Sequence, residues 1–558
     1  MRTNVATHSL WRTRLNRREF LRGTTAVVGA TMLGGATVAC GGSSKIPTTP
    51  SPATTTTPAG PKAGGTLNLT VGAQLGDLNP HTLSNAGTAA DTFVYDRLLN
   101  YDHINGKYEL TTAQSVENPD PLTYIFKIRP TARFQGVAPV ESRPVTSQDV
   151  VASWNAFVAN PRAINKGYFS EFVDHYETPD AATLVVKLKK PNAWSLTTSG
   201  LAAYATVVLP KELIDKGLLD KAAVGSGAYL LDQYDPGSAI SFKRRPDGWC
   251  IAGRPYIDEV VYKVITDTAA RSAALKAKQI DTAAARDKLE ADEYQSWGPD
   301  MKISRDLYYP AQLFMRADAP EGLFNDPRVR EAVYNALDIQ ALIDKVELGE
   351  AELSGPVATV FSVYSLPVDE LKKQFPHDIQ RAKQLLSTAG WDSSREVELK
   401  YPSGAAGKTG IIAELVQSQL AAVGIKTKLV PQDTNNVWYA QTILKRDFQL
   451  TVTSSLLVAP AADSWLRSFT TQGMGAGSTM RWSDPEVDAA VQLQMAETDS
   501  EKQRNLVLDA QRTIIKKFPP MVNLYSPYVY TGYWSYYHPA LNQGQLGTAG
   551  HYAWLDKQ

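Results

Sequence analysis

Val397-Glu-Leu-Lys-Tyr401, residues 409–423 (TGIIAELVQSQLAAV), Gly424 and Ile425-Lys-Thr-Lys-Leu-Val430 together decide the fold. The first and last runs alternate as strands do, and the stretch between them is an amphipathic helix that stops at a glycine. A strand–helix–strand unit of this kind predicts a parallel pair joined by a right-handed crossover. Upstream, Asp326-Pro327-Arg328-Val329-Arg330-Glu331-Ala332-Val333 carries a cap, a proline at the first helical position and a rising apolar face. Gly65–Val71, Tyr124–Ile128 and Thr183–Leu188 read as short strands. A helix starts at Thr146 or Ser147, runs through Val150, Val151, Trp154 and Phe157, and ends at Asn160-Pro161. No period of about 20–50 residues recurs, which excludes a solenoid or propeller. The expectation is a mixed α/β protein with two lobes.

The chain has 558 residues, enough for about three domains. It is 43% hydrophobic, 20% charged and 9% aromatic, an ordinary globular balance. Basic and acidic residues number 57 each, which argues against a strongly basic nucleic-acid binder. The charge is unevenly placed. Residues 1–39 hold six Arg and one Glu, leaving 51 basic and 56 acidic residues in the remainder, a net of −5. Cys40 and Cys250 are too few for a disulfide framework. The seven histidines (8, 81, 103, 175, 377, 538 and 551) form no HxxxH or HExxH pair, so no metal site and no cofactor are expected.

The first forty residues read as an address. Arg2, Arg12, Arg14, Arg17, Arg18 and Arg22 precede a weakly apolar run, Ala26–Val38, broken by Gly29, Gly34 and Gly35. That run falls short of the ~20 apolar residues of a membrane span and has the layout of an export signal. Asn16–Arg22, with Arg17 and Arg18 paired, resembles the twin-arginine export motif; a general secretory signal is the alternative. Thr37-Val38-Ala39-Cys40-Gly41 resembles a lipobox, which implies lipidation of Cys40, the alternative being a free thiol. Several acyl chains would anchor the protein durably. Residues 40–63 then form a tether whose Thr- and Pro-rich composition cannot bury a core. Extended at ~3.1 Å per residue, it reaches on the order of 70 Å.

The remaining motifs, in order, carry a family resemblance. They are Gly64-Gly65-Thr66-Leu67 with Leu78-Asn79-Pro80-His81; Val94–Asp102; Phe134 through Asp149-Val150; Gly225-Ser226-Gly227-Ala228-Tyr229; Gly253–Asp258 with Gln279–Asp281; Phe324–Asp338 (FNDPRVREAVYNALD); and Ala382–Trp391. Across residues 64–540 the chain resembles the bacterial extracellular solute-binding proteins of family 5, the peptide/nickel group serving ABC importers. The resemblance implies a two-lobed periplasmic-binding-protein-like fold of type II with an extra peptide-binder subdomain and a ligand cleft between the lobes. It places lobe I at 64–95, 205–315 and 521–558, an accessory subdomain at 96–204, and lobe II at 316–520. It also implies a monomer outside the cytoplasm, tethered to the membrane, with a peptide or small-molecule ligand, an ABC permease and ATPase as partners, and no nucleic acid.

The resemblance further implies a set of ligand-binding positions. Ser84 and Asn85 follow the opening turn, Tyr168 matches an aromatic of the second domain, and Trp438 matches a pocket aromatic. Read as residues alone, Ser84 and Asn85 are also turn formers, and Tyr168 and Trp438 are equally packing residues. The loop after Phe448–Ser455, running from Leu456 to Trp465, lies along the ligand in peptide-binding relatives and supplies an Asp for the peptide's ammonium. A gapless register puts Val458 at that position and Ser455 where the relatives have Trp. The nearest carboxylate is Asp463, read either as a substitute ammonium partner or as the cap of a helix beginning near Ser464. Sugars and blocked peptides would suit a loop lacking the Asp. No G-x-S-x-G, S-x-x-K or P-loop motif accompanies these positions, so a hydrolase ranks below a binding protein. An importer receptor ranks first and an orphan sensor lipoprotein second.

Overall fold

A computed structural model describes residues 60–556, apart from residues 83, 103–105, 164–165, 319–321, 404–407, 455–460, 473–481 and 540–550. Arg17, Arg18, Cys40, the tether up to residue 59, Ser455, Leu456 and Val458 lie outside the described residues.

The decisive unit folds as its pattern predicts. Glu396–Pro402 and Lys426–Gln432 pair in parallel, and the helix Lys408–Ala422 lies between them in sequence. Val397 and Leu399 bury one face of the first strand against Ile412, Val416 and Leu420, the core stripe of the helix. Leu450–Thr453 adds in parallel beside Glu396–Pro402, and Ala311–Met315 adds antiparallel beside that. The helix Pro327–Ala336 packs in the same core, started by Asp326, whose carboxylate accepts from the Arg328 N–H at 2.8 Å.

A second sheet runs Thr66–Val71, Glu259–Val264, Ala239–Arg244, Tyr229–Asp235, its first pair parallel. It receives the Gly225-Ser226-Gly227 turn. A Cβ at Gly225 would stand 2.2 Å from the Val94 carbonyl oxygen, and one at Gly227 would stand 2.6 Å from it. These glycines let two backbones touch.

Two hairpins form a third sheet. Ala113–Asp120 pairs with Thr123–Ile128, and Val173–Asp180 pairs with Thr183–Leu188. Corresponding residues are offset by 60, since 113 answers to 173 and 128 to 188. Each hairpin has irregularities at equivalent places, Ala113/Ser115 and Glu117/Asp120 against Val173/His175 and Glu177/Asp180. The inner strands cross-pair around Ile125 and Val185. There Lys127 donates to the Thr183 hydroxyl at 2.8 Å, and Lys187 donates to the Thr123 hydroxyl at 3.0 Å.

One strand ties the two lobes together. Met521–Trp534 pairs through its first part with Ala311–Met315 and Ala351–Leu353, and through its second with Thr282–Ala285 and Met301–Leu307. The second connection is the short run from Leu307 to Ala311. No helix among the described residues is long and apolar enough to cross a membrane.

Candidate functional site

The site is built where the segment after the second hairpin meets the helix Ala462–Arg467 of the opposite lobe. Asn192 shapes the first side. Its Oδ1 accepts from the Trp194 N–H at 2.8 Å, and its carbonyl accepts from the Ser195 hydroxyl at 2.7 Å. The successive turns that follow carry Trp194 and Ser199 to the opposite lobe. Trp194 Nε1 donates to Gln494 Oε1 at 2.7 Å, and the Ala193 N–H donates to the Met495 carbonyl at 2.7 Å. Trp194, Phe172, Trp465, Leu466, Val491 and Met495 share one buried cluster, so the apolar core crosses the seam. Area removed from water there holds the two sides of the seam together.

Polar groups cross it too. Glu171 accepts from Lys190 at 2.8 Å and is ion-paired with Arg467 of the opposite lobe. Both cations lie over the Phe172 ring, Lys190 at 4.6 Å and Arg467 at 5.0 Å from its centroid. The Ser199 hydroxyl donates to Asp463 Oδ1 and lies 2.6 Å from the Ser464 hydroxyl. Because the Ser199 proton goes to the carboxylate, Ser464 is the donor to Ser199. Tyr309, from the connection between lobes, stacks on Trp465 at 6.2 Å and 19°.

Four buried polar atoms at this seam have no hydrogen-bond partner among the described residues: Asp463 Oδ2, Trp465 Nε1, Arg467 Nη1 and Asn192 Nδ2. Asp463 is fully buried. Burial pushes its carboxyl above the usual range, and the Arg467 guanidinium and Ser199 hydroxyl pull it back only in part. Leaving such groups unpaired is unfavourable by roughly 1–3 kcal/mol each, more for a charge. Among the described residues the seam thus holds one unsatisfied acceptor, Asp463 Oδ2, and three unsatisfied donors, Trp465 Nε1, Arg467 Nη1 and Asn192 Nδ2.

The model for bacterial extracellular solute-binding proteins, family 5 (middle region), matches residues 107–476. The chain belongs to this family. The solute-binding protein is 26% identical over 373 residues to the oligopeptide-binding protein AppA of Bacillus subtilis, the match covering 62% of this chain and 65% of that protein. Its structure is similar to that of DppA from Helicobacter pylori in complex with the peptide STSA, at TM-score 0.73 and 20% identity, covering 89% of this chain and 99% of the other. It is also similar to AgaA from A. tumefaciens R10 in complex with agropinic acid, at TM-score 0.72 and 24% identity, covering 88% and 99%. The two-lobed periplasmic-binding-protein fold expected from the sequence is the fold of these neighbours.

Within this solute-binding protein, the residues singled out from sequence separate into two groups. Asp463 lies at the seam. The helix starts at Ala462 with Ala461 in the cap position, so the reading of Asp463 as the cap of a helix near Ser464 is corrected: its Oδ1 is engaged by Ser199. The other described positions are held by their own elements. Ser84 is the cap of helix Asn85–Phe93, accepting from the Gly87 N–H at 2.9 Å. Asn85 donates to the Gln74 carbonyl at 2.7 Å and is exposed. Tyr168 is fully buried, donates to the Ser195 hydroxyl at 2.8 Å and stacks on Phe172, one layer behind the turns. Trp438, in the π-helix Thr434–Ile443, is buried and donates to Thr451 Oγ1 at 2.9 Å. Sequence reasoning missed Glu171, Trp194, Ser199, Arg467 and Gln494. No local motif holds them, because each acts through a partner hundreds of positions away.

Proposed function

We propose that this protein is an extracytoplasmic receptor that encloses a peptide or peptide-like solute between its lobes and delivers it to an ABC permease and ATPase. In this reading it is exported by the Arg17-Arg18 signal, held to the membrane as a monomer by lipid on Cys40, and does not transform its ligand. Membership of the solute-binding family supports the binding role, and relatives named as peptide-binding proteins support the ligand class.

The observation that carries the site is the Oδ2 of buried Asp463, which has no hydrogen-bond partner among the described residues. An ammonium there would pair a carboxylate that burial otherwise disfavours. Asp463 thereby takes the place that Val458 leaves open. The Ser455, Leu456 and Val458 loop is proposed to lie along the ligand, with Ser84 and Asn85 near the entry turn and Tyr168 and Trp438 backing the wall.

The test is calorimetric titration of the full chain in detergent with pools of tri- to pentapeptides, free or N-acetylated. The free pool is expected to bind near micromolar, about −8 kcal/mol. Asp463→Asn should weaken that pool by roughly 10–100-fold, as expected for a lost bond to a charged group, and leave the acetylated pool unchanged. Equal weakening of both pools would remove Asp463 from the amine.

A further inference from the structure

Asp463 and the hydroxyl that orients it belong to opposite sides of the seam. Ser199 sits in the run of turns after the second hairpin, and that run is fixed to its own lobe: Trp154 Nε1 donates to the Thr206 carbonyl at 3.2 Å, and Arg97 Nε donates to the Tyr204 carbonyl at 3.0 Å. Asp463 rides on Ala462–Arg467, whose six residues are all buried. Ser464, Ser199 and Asp463 Oδ1 form a directed chain across the seam, which leaves Oδ2 as the open atom. A carboxylate swings freely about its last torsion unless one oxygen is held. When the lobes part, the Ser199 hydroxyl leaves with its lobe, and the Asp463 carboxylate keeps only the Ser464 backbone N–H and the nearby Arg467 guanidinium of its own helix.

We propose that Ser199 is a positioning residue that completes the cation-recognition site only on lobe closure, by holding Asp463 Oδ1 so that Oδ2 faces the ligand's ammonium. Closure and amine recognition are then one event. An open protein presents a carboxylate held from its own helix alone, and the closed one, with Ser199 added, discriminates more sharply. This rests on the reading of Asp463 as the amine partner, and it adds that the selectivity resides partly in the other lobe. Ser464 supports the same chain from the Asp463 side, as donor to Ser199.

The readout is the ratio of affinities for the free-amine and N-acetylated peptide pools, measured on the full chain in detergent. A residue that only packs the seam would weaken both pools alike when changed. Ser199→Ala is expected to lower the ratio about tenfold, the size of one hydrogen bond to a charged group, and Ser199→Thr to restore most of it. Ser199→Cys, close in volume but a weak donor, gives the same comparison if the alanine variant does not fold. A wild-type preference that survives intact in both the alanine and cysteine variants overturns the role of Ser199 and leaves Asp463 standing. A wild-type ratio near one overturns both the amine reading and this inference.

Discussion

His81 shows what burial does to a single side chain. It is 1% exposed, lies 5.4 Å from the Phe157 ring, and neither ring nitrogen has a partner among the described residues. Burial pushes its pKa down to about 4, whereas an unfolded chain takes up that proton near pH 6.5. Between these values the unfolded state holds more protons, so His81 subtracts stability as the pH falls from 6.5 toward 4, up to about 3 kcal/mol. Buried Asp91 and Asp96, both raised to about 7 by burial, act in the opposite sense. The difference between wild type and His81→Leu therefore isolates the histidine. The variant should lose less melting temperature than wild type between pH 7 and 5, and parallel curves would refute the assignment. At this scale Asp463 was legible because a family register pointed to its neighbourhood. Ser199 was not, since it is 264 positions from its partner and no spacing rule links them.

Elements were readable where their signals are local. The helix Ser147–Ala159 begins with Thr146 accepting from the Asp149 N–H, while Asp149 accepts from the Thr146 N–H at 2.9 Å. That reciprocal box is written in four consecutive residues, as is the Asp326-Pro327 start. Asp149 also receives both Arg143 Nη groups at 2.8 Å. Thr146→Ala should therefore destabilise by about 1 kcal/mol and Asp149→Ala by more, since it removes its half of the box and one of the two carboxylates on Arg143, Glu212 keeping the other. Urea denaturation of the two variants checks the ranking; equal losses would mean that the Arg143 contact contributes nothing. The long strand Met521–Trp534 was marked only as the start of a segment, because its register is set by four partners far away in sequence. The paired hairpins escaped notice for another reason: their offset of 60 lies outside the repeat lengths that solenoids use.

For the whole molecule the question is what holds the lobes shut. Apolar packing is shared across the seam, and a few polar contacts fix its register: Trp194 to Gln494, Ala193 to Met495, and Glu171 with Arg467. A ligand drives closure only to the extent that it favours the closed state. Contacts that exist only when closed therefore add to apparent affinity without touching the ligand. Gln494→Ala removes the acceptor of Trp194 Nε1, a bond between neutral groups, which is worth about 1 kcal/mol. Peptide affinity should fall about fivefold, with the same factor for free and acetylated pools and no change in the fit of scattering curves to the liganded form. A change in the ratio of the two pools would instead place Gln494 at the ligand.

The two hairpins carry one more consequence. Thr123 faces Lys187 while Lys127 faces Thr183, so exchanging the hairpins leaves the pairing unchanged. That is the rule of an isologous contact, in which a surface meets its own copy about a two-fold axis. The middle of this sheet thus has the pairing geometry of a two-fold contact within one chain, although its residues differ: Tyr124, Ile125 and Phe126 face Val186, Val185 and Leu184. Every residue on it has a twin, and a change at one twin leaves its counterpart facing the original partner: the symmetry that built the sheet also lets either half vary while the other keeps the register.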